Sequence, residues 1–314
     1  MLLSLLRRTG VFLASVAAAS VLVFLFMAVL PGDAAEVSLG TNATPEAVRA
    51  VRAEFGTDRP LPTQYLDWVG GLLQGDFGRS YISREAVAPQ IGDRVQVTLI
   101  LVGAATLVAL LIAVPLGTLA AARHRRASGL ALSGASQVGA AVPAFIAGIL
   151  LVALFSVTLG WFPSSGWTAP SDDVGGFLRQ LALPAISLGL VEGAILTRYV
   201  RSAVLEVLRE DFLRTARAKG LTRGRALVRH GLRNAAIPVV TVLGLQLSGM
   251  LIGAVVIERV YVLPGLGTLL LDGVSNRDLL LVQGVVMVLV VLVLLINYVV
   301  DVLYTVIDPR LRGA

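Results

Sequence analysis

Six long apolar segments constrain the fold of this chain more than any other feature. Each approaches the roughly 20 apolar residues that an α-helix needs to cross a bilayer. Hydrophobic residues make up 56% of the 314 residues and charged residues only 15%, and a soluble domain of this size cannot cover so much apolar surface. The sequence therefore predicts an all-α, polytopic membrane protein with six transmembrane helices. The predicted spans lie near residues 9–30, 97–121, 133–158, 181–200, 236–258 and 281–305.

The distribution of lysine and arginine predicts the orientation. If the N-terminus is cytoplasmic, 17 of the 26 Lys and Arg residues fall in cytoplasmic segments, ten of them from Arg198 through Arg233. Nine acidic residues fall in the first outer loop, residues 31–96. The positive-inside rule then places both termini in the cytoplasm. The apolar run Val11–Leu30 exceeds the about 7–15 residues of a secretory signal core, so it is predicted to remain as the first span.

Several function classes find no support in the residues. The chain has no cysteine, and its two histidines, His124 and His230, lie in basic loops, so no cluster has metal-ligand spacing. No motif of a hydrolase or metalloprotease occurs, and no G-x-x-x-x-G-K-[ST] loop is present to bind ATP. The basic loops have almost no aromatic residues for base stacking, which argues against nucleic acid. We predict no catalytic, cofactor-binding or metal-ligating residue.

The basic segment between the fourth and fifth spans has the pattern of a helix, a glycine and a second helix. Gly220 is placed to end the first helix in a left-handed cap, and Glu210 precedes Arg214 by four residues, a favourable helical pair. Thr222 can cap the second helix. Such a pair of helices on the cytoplasmic side is suited to docking into another protein. Apolar residues line one face of each helix: Val204, Leu208, Phe212 and Ala216 in the first, and Leu227, Val228 and Leu232 in the second.

The first outer loop contains two predicted amphipathic helices. Thr44-Pro45-Glu46 combines a cap, a proline at the first position and an acid in the first turn, and Gly56 ends that helix. The loop serves either as a cap on the bundle or as part of a docking surface for another protein. The apolar stripes of the two helices are Val48, Val51 and Phe55, then Tyr65, Trp68 and Leu72.

Polar residues inside the spans are costly there and are candidates for a translocation path. Glu192 lies midway along the fourth span, between Gly189 and Gly193, which are expected to leave room beside it. Inter-helix hydrogen bonding is the alternative role, and it is favoured for Asn297 and Asp301. The candidates for the path are Glu192, Gln246, Ser248, Asn297 and Asp301.

Prolines and small residues suit a bundle of closely packed, kinked helices. Pro115 and Pro143 lie inside the second and third spans and predict kinks there. Small residues permit close helix packing. The glycines in question are Gly103, Gly134, Gly139, Gly148, Gly244, Gly249 and Gly253. The segment Glu258–Leu280 between the last two spans, which includes Pro264–Gly267, is expected to fold back toward the pore as a turn lined by backbone groups.

The basic segment also carries a family resemblance. Its strings RTARAKG, at Arg214–Gly220, and HGLRNAAIP, at His230–Pro238, resemble the cytoplasmic coupling loop of the dipeptide/oligopeptide permeases of ABC importers. Compared with the short Glu-Ala-Ala-x-x-x-Gly motif of many ABC permeases, the chain keeps Ala216 and Gly220 and otherwise resembles the peptide/nickel branch. Further strings follow in the family's order: Leu30–Asp33, Asp58–Pro62, Gly75–Ser80, Leu205–Asp211, Pro264–Gly267 and Asp308–Arg310.

The resemblance implies the transmembrane domain of a type I ABC importer in a bacterial inner membrane. Residues 1–96 would form the first transmembrane helix and an extracytoplasmic loop, and residues 97–314 the core permease domain, with coupling helices at about 201–235. The chain would form half of a path for dipeptides or oligopeptides and would not be an enzyme. The implied coupling residues are Glu210, Asp211, Arg214, Thr215, Ala216, Arg217, Ala218, Lys219, Gly220 and Leu221.

The resemblance also implies partners. These are a second, homologous permease, two ABC ATPase subunits that bind the ATP and magnesium, an extracytoplasmic substrate-binding protein, membrane lipid and a peptide substrate. No cofactor is expected on this chain itself. Three alternatives stay open: an importer of a nickel chelate, haem or glutathione in the same family, an ion-driven secondary transporter, and a membrane-embedded enzyme, which the motifs favour least.

The predicted topology can be tested by cysteine labelling, because the chain has no native cysteine. Single cysteines at Glu54 and at Arg223 should react with a membrane-impermeant maleimide from opposite sides of the membrane in sealed cells. Labelling of both positions from the same side would contradict the topology.

Overall fold

A computed structural model describes residues 2–29, 34–39 and 43–307 of the chain. This described part contains helices and no strand, which confirms the all-α prediction. The motif strings at Leu30–Asp33 and Asp308–Arg310 lie outside it. The helices are α1 (Leu2–Val29), α2 (Ala34–Leu39), α3 (Pro45–Phe55), α4 (Leu61–Leu73), α5 (Val87–Ala122), α6 (Ala127–Ala141), α7 (Ala144–Leu151), α8 (Val174–Val207), α9 (Asp211–Ala218), α10 (Arg223–Ala226), α11 (Leu232–Tyr261), α12 (Leu266–Ser275) and α13 (Leu279–Ile307). Short π-helical segments, Val152–Thr158 and Leu227–Gly231, follow α7 and α10.

The described residues contain five helices long and apolar enough to cross a membrane, or six if a bent pair counts as one span. The bent pair is the predicted third span, in which residues 127–141 and 144–158 meet at 96°. Pro143 causes the break, because its ring cannot continue the preceding helix and it forces Val142 into an extended conformation. The spans also begin earlier than predicted, for example α5 at Val87 and α8 at Val174, because helical structure continues beyond the apolar run.

The chain divides into two compact units, and the first comprises Met1–Thr98 and Pro264–Tyr298. Its helix α3 has the predicted ends. The Thr44 hydroxyl accepts a hydrogen bond from the Ala47 N–H at 3.2 Å, and Gly56 has a φ of +69°. Val48 and Val51 are buried with Ala35 of α2 in one cluster.

Helix α4 packs through its predicted aromatic stripe. The Tyr65 hydroxyl shares a hydrogen bond of 2.9 Å with Ser20 of α1, and the Trp68 ring lies 6.1 Å from the ring of Phe24. These contacts hold α4 on the first span, as expected for aromatic residues at a membrane interface.

The turn at Pro264–Gly267 is shorter than expected, since α12 begins at Leu266. The Leu266 N–H is among the helix-start donors that lack an intrahelical acceptor, and it donates instead to the Thr98 hydroxyl at 2.9 Å. Leu266 is buried with Val87 and Val285 in one cluster. The expected turn is therefore mostly a helix docked on α5 and α13.

The second unit comprises Leu99–Leu263 and Val299–Ala314, and α8 runs through its middle. Helix α8 packs against α6, α7 and α11. A hydroxyl network joins three of these helices: the Tyr261 hydroxyl lies 2.8 Å from Ser187 and donates to the Gly148 carbonyl at 3.2 Å. The sequence does not predict this network, because no local pattern pairs residues so far apart.

The glycine prediction holds for part of the set. A Cβ on Gly139, Gly148, Gly244 or Gly253 would meet a side chain of a neighbouring helix, so these four positions do permit close packing. No such contact exists at the other three positions, Gly103, Gly134 and Gly249, where a Cβ would meet nothing within 4 Å.

Helix α8 approaches the backbone of α5 closely at Gly189. A Cβ there would lie 2.6 Å from the Ala105 carbonyl oxygen and 2.7 Å from the Val108 Cβ, both on α5. Helix backbones can approach this closely only where one of them has no side chain. Gly193, one turn further, faces Ala109 in the same way at 3.2 Å.

Alanine at Gly189 should therefore force α5 and α8 apart and lower the unfolding temperature of the purified protein, with a cost of about 1–3 kcal/mol. Gly103→Ala is the matched control, because a Cβ meets nothing there, and it should leave the unfolding temperature unchanged or slightly raised. Equal behaviour of the two variants would contradict this packing.

Candidate coupling and translocation sites

The basic segment contains a break that the sequence analysis did not predict. Helix α8 ends at Val207, and α9 begins at Asp211 after Glu210 with extended backbone. The predicted continuous stripe is therefore wrong beyond Leu208. The break changes which side chain faces inward, because Leu213 is buried with an exposure of 4% and Phe212 is 38% exposed.

The predicted ion pair is also different. Arg214 contacts Asp211 at 3.3 Å, and both side chains are largely exposed, so the pair contributes little to stability. Glu210 is the cap residue that precedes α9, and no ion pair joins it to Arg214 in the part of the chain that the structure describes.

Gly220 and the second helix follow the prediction more closely. Gly220 has a φ of +89°, in the region that favours glycine. The Thr222 hydroxyl caps α10 by accepting from the Arg225 N–H at 3.4 Å. Leu227 is buried, but Val228 is 67% exposed, so the predicted apolar side of this helix is wrong at that residue.

These residues form a surface that we call the α9 surface, defined as residues 210–221. A buried cluster that includes Val204, Val207, Leu213 and Leu227 holds it in place, with Ala216 and Leu221 packed against the cluster. The remaining predicted coupling residues are exposed: Glu210, Asp211, Arg214, Thr215, Arg217, Ala218, Lys219 and Gly220. Helix α9 is therefore short, with one apolar side packed in this cluster and a charged side exposed to solvent.

Within the membrane, the structure brings two of the predicted polar residues together. The Gln246 Nε2 of α11 donates to the Glu192 carboxylate of α8 at 3.0 Å. The same nitrogen lies 3.5 Å from the Glu192 carbonyl. Glu192 is half-buried, and the Gln246 Oε1 is buried without a hydrogen-bond partner. The pair joins two spans and leaves one acceptor unsatisfied.

The expectation of free space beside Glu192 is wrong. Gly189 and Gly193 lie against α5, with the close approaches described above, so the space is filled by a neighbouring helix. The glycines serve helix packing at this point, and Glu192 lies on a different face of α8.

The other predicted path residues do not join this pair. Ser248 lies two positions beyond Gln246 on α11, and about 200° around the helix from it. Asn297 and Asp301 lie four residues apart on α13, the first half-buried and the second exposed. A role for these three in a path stays a prediction. Among the described residues, no group of His, Cys, Asp or Glu is arranged to hold a metal ion.

Comparison with known families gives two matches. Residues 113–313 match the family described as binding-protein-dependent transport system inner membrane component. Residues 1–102 match the N-terminal family of the same membrane components. The long apolar helices and the sequence together define the permease component of an ABC importer. The chain belongs to the family of binding-protein-dependent transport system inner membrane components.

Named relatives cover nearly the whole chain. A di/tripeptide transport system permease protein, DppB of Pseudomonas aeruginosa, is 40% identical over 99% of both chains. A putative peptide transport system permease protein of Brucella abortus is 41% identical over 93% of both. The glutathione transport system permease protein GsiC of Escherichia coli is also 41% identical over 93% of both.

A solved structure supports the fold independently. The chain resembles a chain of the MetNI methionine ABC transporter, solved in inward-facing conformations, with a TM-score of 0.57 and 19% identity. The match covers 69% of this chain and 96% of the other. The prediction of an ABC importer transmembrane fold is therefore confirmed.

Proposed function

We propose that this chain is one of two permease subunits in an ATP-driven importer of short peptides. It forms half of the translocation path, and two separate ATPase subunits supply the ATP hydrolysis. A binding protein outside the membrane delivers the substrate, and both termini of the chain are cytoplasmic. Family membership favours this function over an ion-driven secondary transporter or an enzyme.

The observation that carries the coupling part of the proposal is the α9 surface. It exposes charged side chains and Phe212 on a helix held by a buried cluster. Helix α9 can transmit a movement to α8, because its buried residue Leu213 packs against Val204 and Val207 of α8. Movement of a docked ATPase subunit would thus shift the bundle between two states. Such a shift requires a difference in binding free energy of a few kcal/mol between those states.

The proposed substrate class rests on the relatives. Two of them are named for peptides or di/tripeptides and one for glutathione, itself a short peptide derivative. Glutathione is therefore the second candidate. Nickel chelates and haem stay alternatives within the family, with no similar support.

The coupling proposal predicts the behaviour of Gly220→Val. A Cβ there meets nothing within 4 Å, so the effect comes from backbone strain at a φ of +89°, which costs about 1–2 kcal/mol for an L-residue. The strained turn should displace α9. In proteoliposomes with the full complex, we expect dipeptide uptake to fall at least about tenfold while the complex still assembles, a factor that corresponds to about 1.4 kcal/mol.

Gly220→Asn is the matched control, because asparagine tolerates left-handed backbone better than valine does. It should retain most of the uptake, and its ATPase activity should still respond to loaded binding protein. Normal uptake by Gly220→Val would place the coupling contact elsewhere. Absence of uptake of any peptide by the native complex would contradict the proposed substrate class.

Glu192 is the proposed contact for the peptide ammonium in the path, and its alternative role is a tether to Gln246. If it faces the path, Glu192→Gln should keep the unfolding temperature within about 1 °C and reduce uptake of free-amine peptides more than uptake of N-acetylated ones. The reason is that the amide keeps the size of the carboxylate but loses the charge that attracts a cation. The measurement is the ratio of the two uptake rates.

A tether gives a different result. The variant would then lose stability, and uptake of both peptide types would fall together. Gly249→Ala on the same helix α11 is a suitable control, because a Cβ there meets nothing within 4 Å, and we expect it to leave the ratio unchanged. An equal loss for both peptides with a lower unfolding temperature would exclude the ammonium contact.

A further inference from the structure

The first unit contains a cavity that the proposed path does not use. It measures about 600 Å³ and lies among α3, α4, the following turn at residues 74–86 and the start of α13. This volume is within the range of small-molecule sites and suits a ligand of two or three amino acids. In the proposed orientation, the cavity is on the outer side of the membrane.

The aromatic residues that line the cavity pack against one another. Phe55 and Tyr81 stack with ring centroids 4.4 Å apart, and Phe24 supports Trp68 from α1. The backbone N–H of Tyr81 donates to the Asp278 carboxylate at 3.2 Å. Burial and the Asp278 charge raise the pKa of Tyr81 to about 12, so its ring stays neutral. The cavity is thus preformed.

Two buried donors at the cavity have no acceptor. The indole Nε1 of Trp68 and the amide Nε2 of Gln283 are both buried, and neither has a hydrogen-bond partner in the described part of the chain. Both residues line the cavity, and Gln283 is only 7% exposed. A buried donor without a partner costs about 1–3 kcal/mol. Both nitrogens have almost no accessible surface in the free chain, so a ligand that brings carbonyl or carboxylate oxygens would remove this cost after the two side chains turn their N–H groups toward it.

Most charges that line the cavity are already paired. Arg84 contacts Glu54 at 2.7 Å, and Arg59 contacts Asp67 at 3.1 Å. These two pairs contribute no net charge to a ligand site.

Two charges of opposite sign remain. Asp76 accepts a hydrogen bond from the Gly78 N–H at 2.8 Å, but no cation of the described residues pairs with it. Arg79 pairs with no acid in the same part of the chain. The cavity therefore offers one carboxylate and one guanidinium in addition to two unsatisfied donors, which suits a neutral zwitterion with several acceptor oxygens.

We propose that this cavity binds a short zwitterionic peptide at a site separate from the membrane path. Arg79 and the two orphan donors receive the peptide's carboxylate and carbonyl oxygens, Asp76 receives its ammonium, and the aromatic walls contact its side chains. The choice of a peptide over another zwitterion rests on the proposed function. In the proposed orientation, the site would hold cargo on the outer surface of the membrane.

The test uses the full chain in lipid nanodiscs without partner subunits and a photoreactive dipeptide, alanyl-photoleucine. We expect saturable labelling that maps to residues 54–84 or 280–283. Free alanyl-leucine should compete with it, and the N-acetylated, C-amidated form of the probe should label at least about tenfold less. Labelling that is absent, that does not saturate, or that is equal for both forms would overturn the proposal.

Two variants separate binding from folding. Gln283→Leu removes an unsatisfied buried donor while keeping the size of the side chain, so the unfolding temperature should stay constant or rise, and labelling should fall about tenfold. Trp68→Phe keeps an aromatic ring but removes the N–H, and it should also reduce labelling. The controls are Gln74→Leu and Trp167→Phe, which lie outside the cavity. A lower unfolding temperature for Gln283→Leu with unchanged labelling would assign Gln283 to packing alone.

Uptake by the native complex separates this proposal from the proposed function. If peptides are transported but the cavity is not labelled, the cavity proposal fails alone. If the cavity is labelled and competed by free dipeptide but no peptide is transported, the site stands and the transport function fails.

Discussion

The close approach of α5 and α8 is the constraint on which the second unit depends. Gly189 and Gly193 bring the backbone of α8 against Ala105 and Ala109, and lipid provides no hydrophobic driving force that could replace this packing. With α5 fixed, the opposite side of α8 is available to α7 and α11. The hydroxyls of Ser187 and Tyr261 and the amide of Gln246 then satisfy polar groups between these helices, as a membrane interior requires.

The same helix connects the membrane to the α9 surface. The C-terminal end of α8 contributes Val204 and Val207 to the cluster that also buries Leu213 and Leu227. Because the break after Val207 turns Leu213 inward, α9 is attached to α8 through packing rather than through a continuous helix. A displacement of α9 would thus be transmitted to α8 through the packing of Leu213 against Val204 and Val207. Strain at Gly220 would therefore act on α9 and its packing, outside the long apolar helices.

Much of this architecture could be predicted from the sequence, where the signals are local. Apolar runs identify spans because only helices can satisfy their backbone in lipid, and Thr44 and Gly56 mark the ends of α3 because capping depends on neighbouring residues. The break at residues 208–210 could not be predicted, because both Phe212 and Leu213 can face inward by composition. Only the tertiary cluster determines that Leu213 does. The role of Gly189 was likewise misjudged, since its partner Ala105 is distant in sequence.

The candidate sites also differ in how far local sequence signals indicate them. The predicted coupling residues form one contiguous stretch, so a sequence motif can indicate them. The predicted path residues lie on several helices, and no local pattern indicates their geometry. The structure joins Glu192 to Gln246 but leaves Ser248 on another face. The cavity of the first unit could not be predicted from the sequence at all, because its distinguishing feature is two buried donors that have no hydrogen-bond acceptor. Trp68 and Gln283 are ordinary residues in the sequence, and only their burial without an acceptor distinguishes them. Native structures satisfy most buried donors, so two such donors in one cavity point to an acceptor supplied from outside the chain.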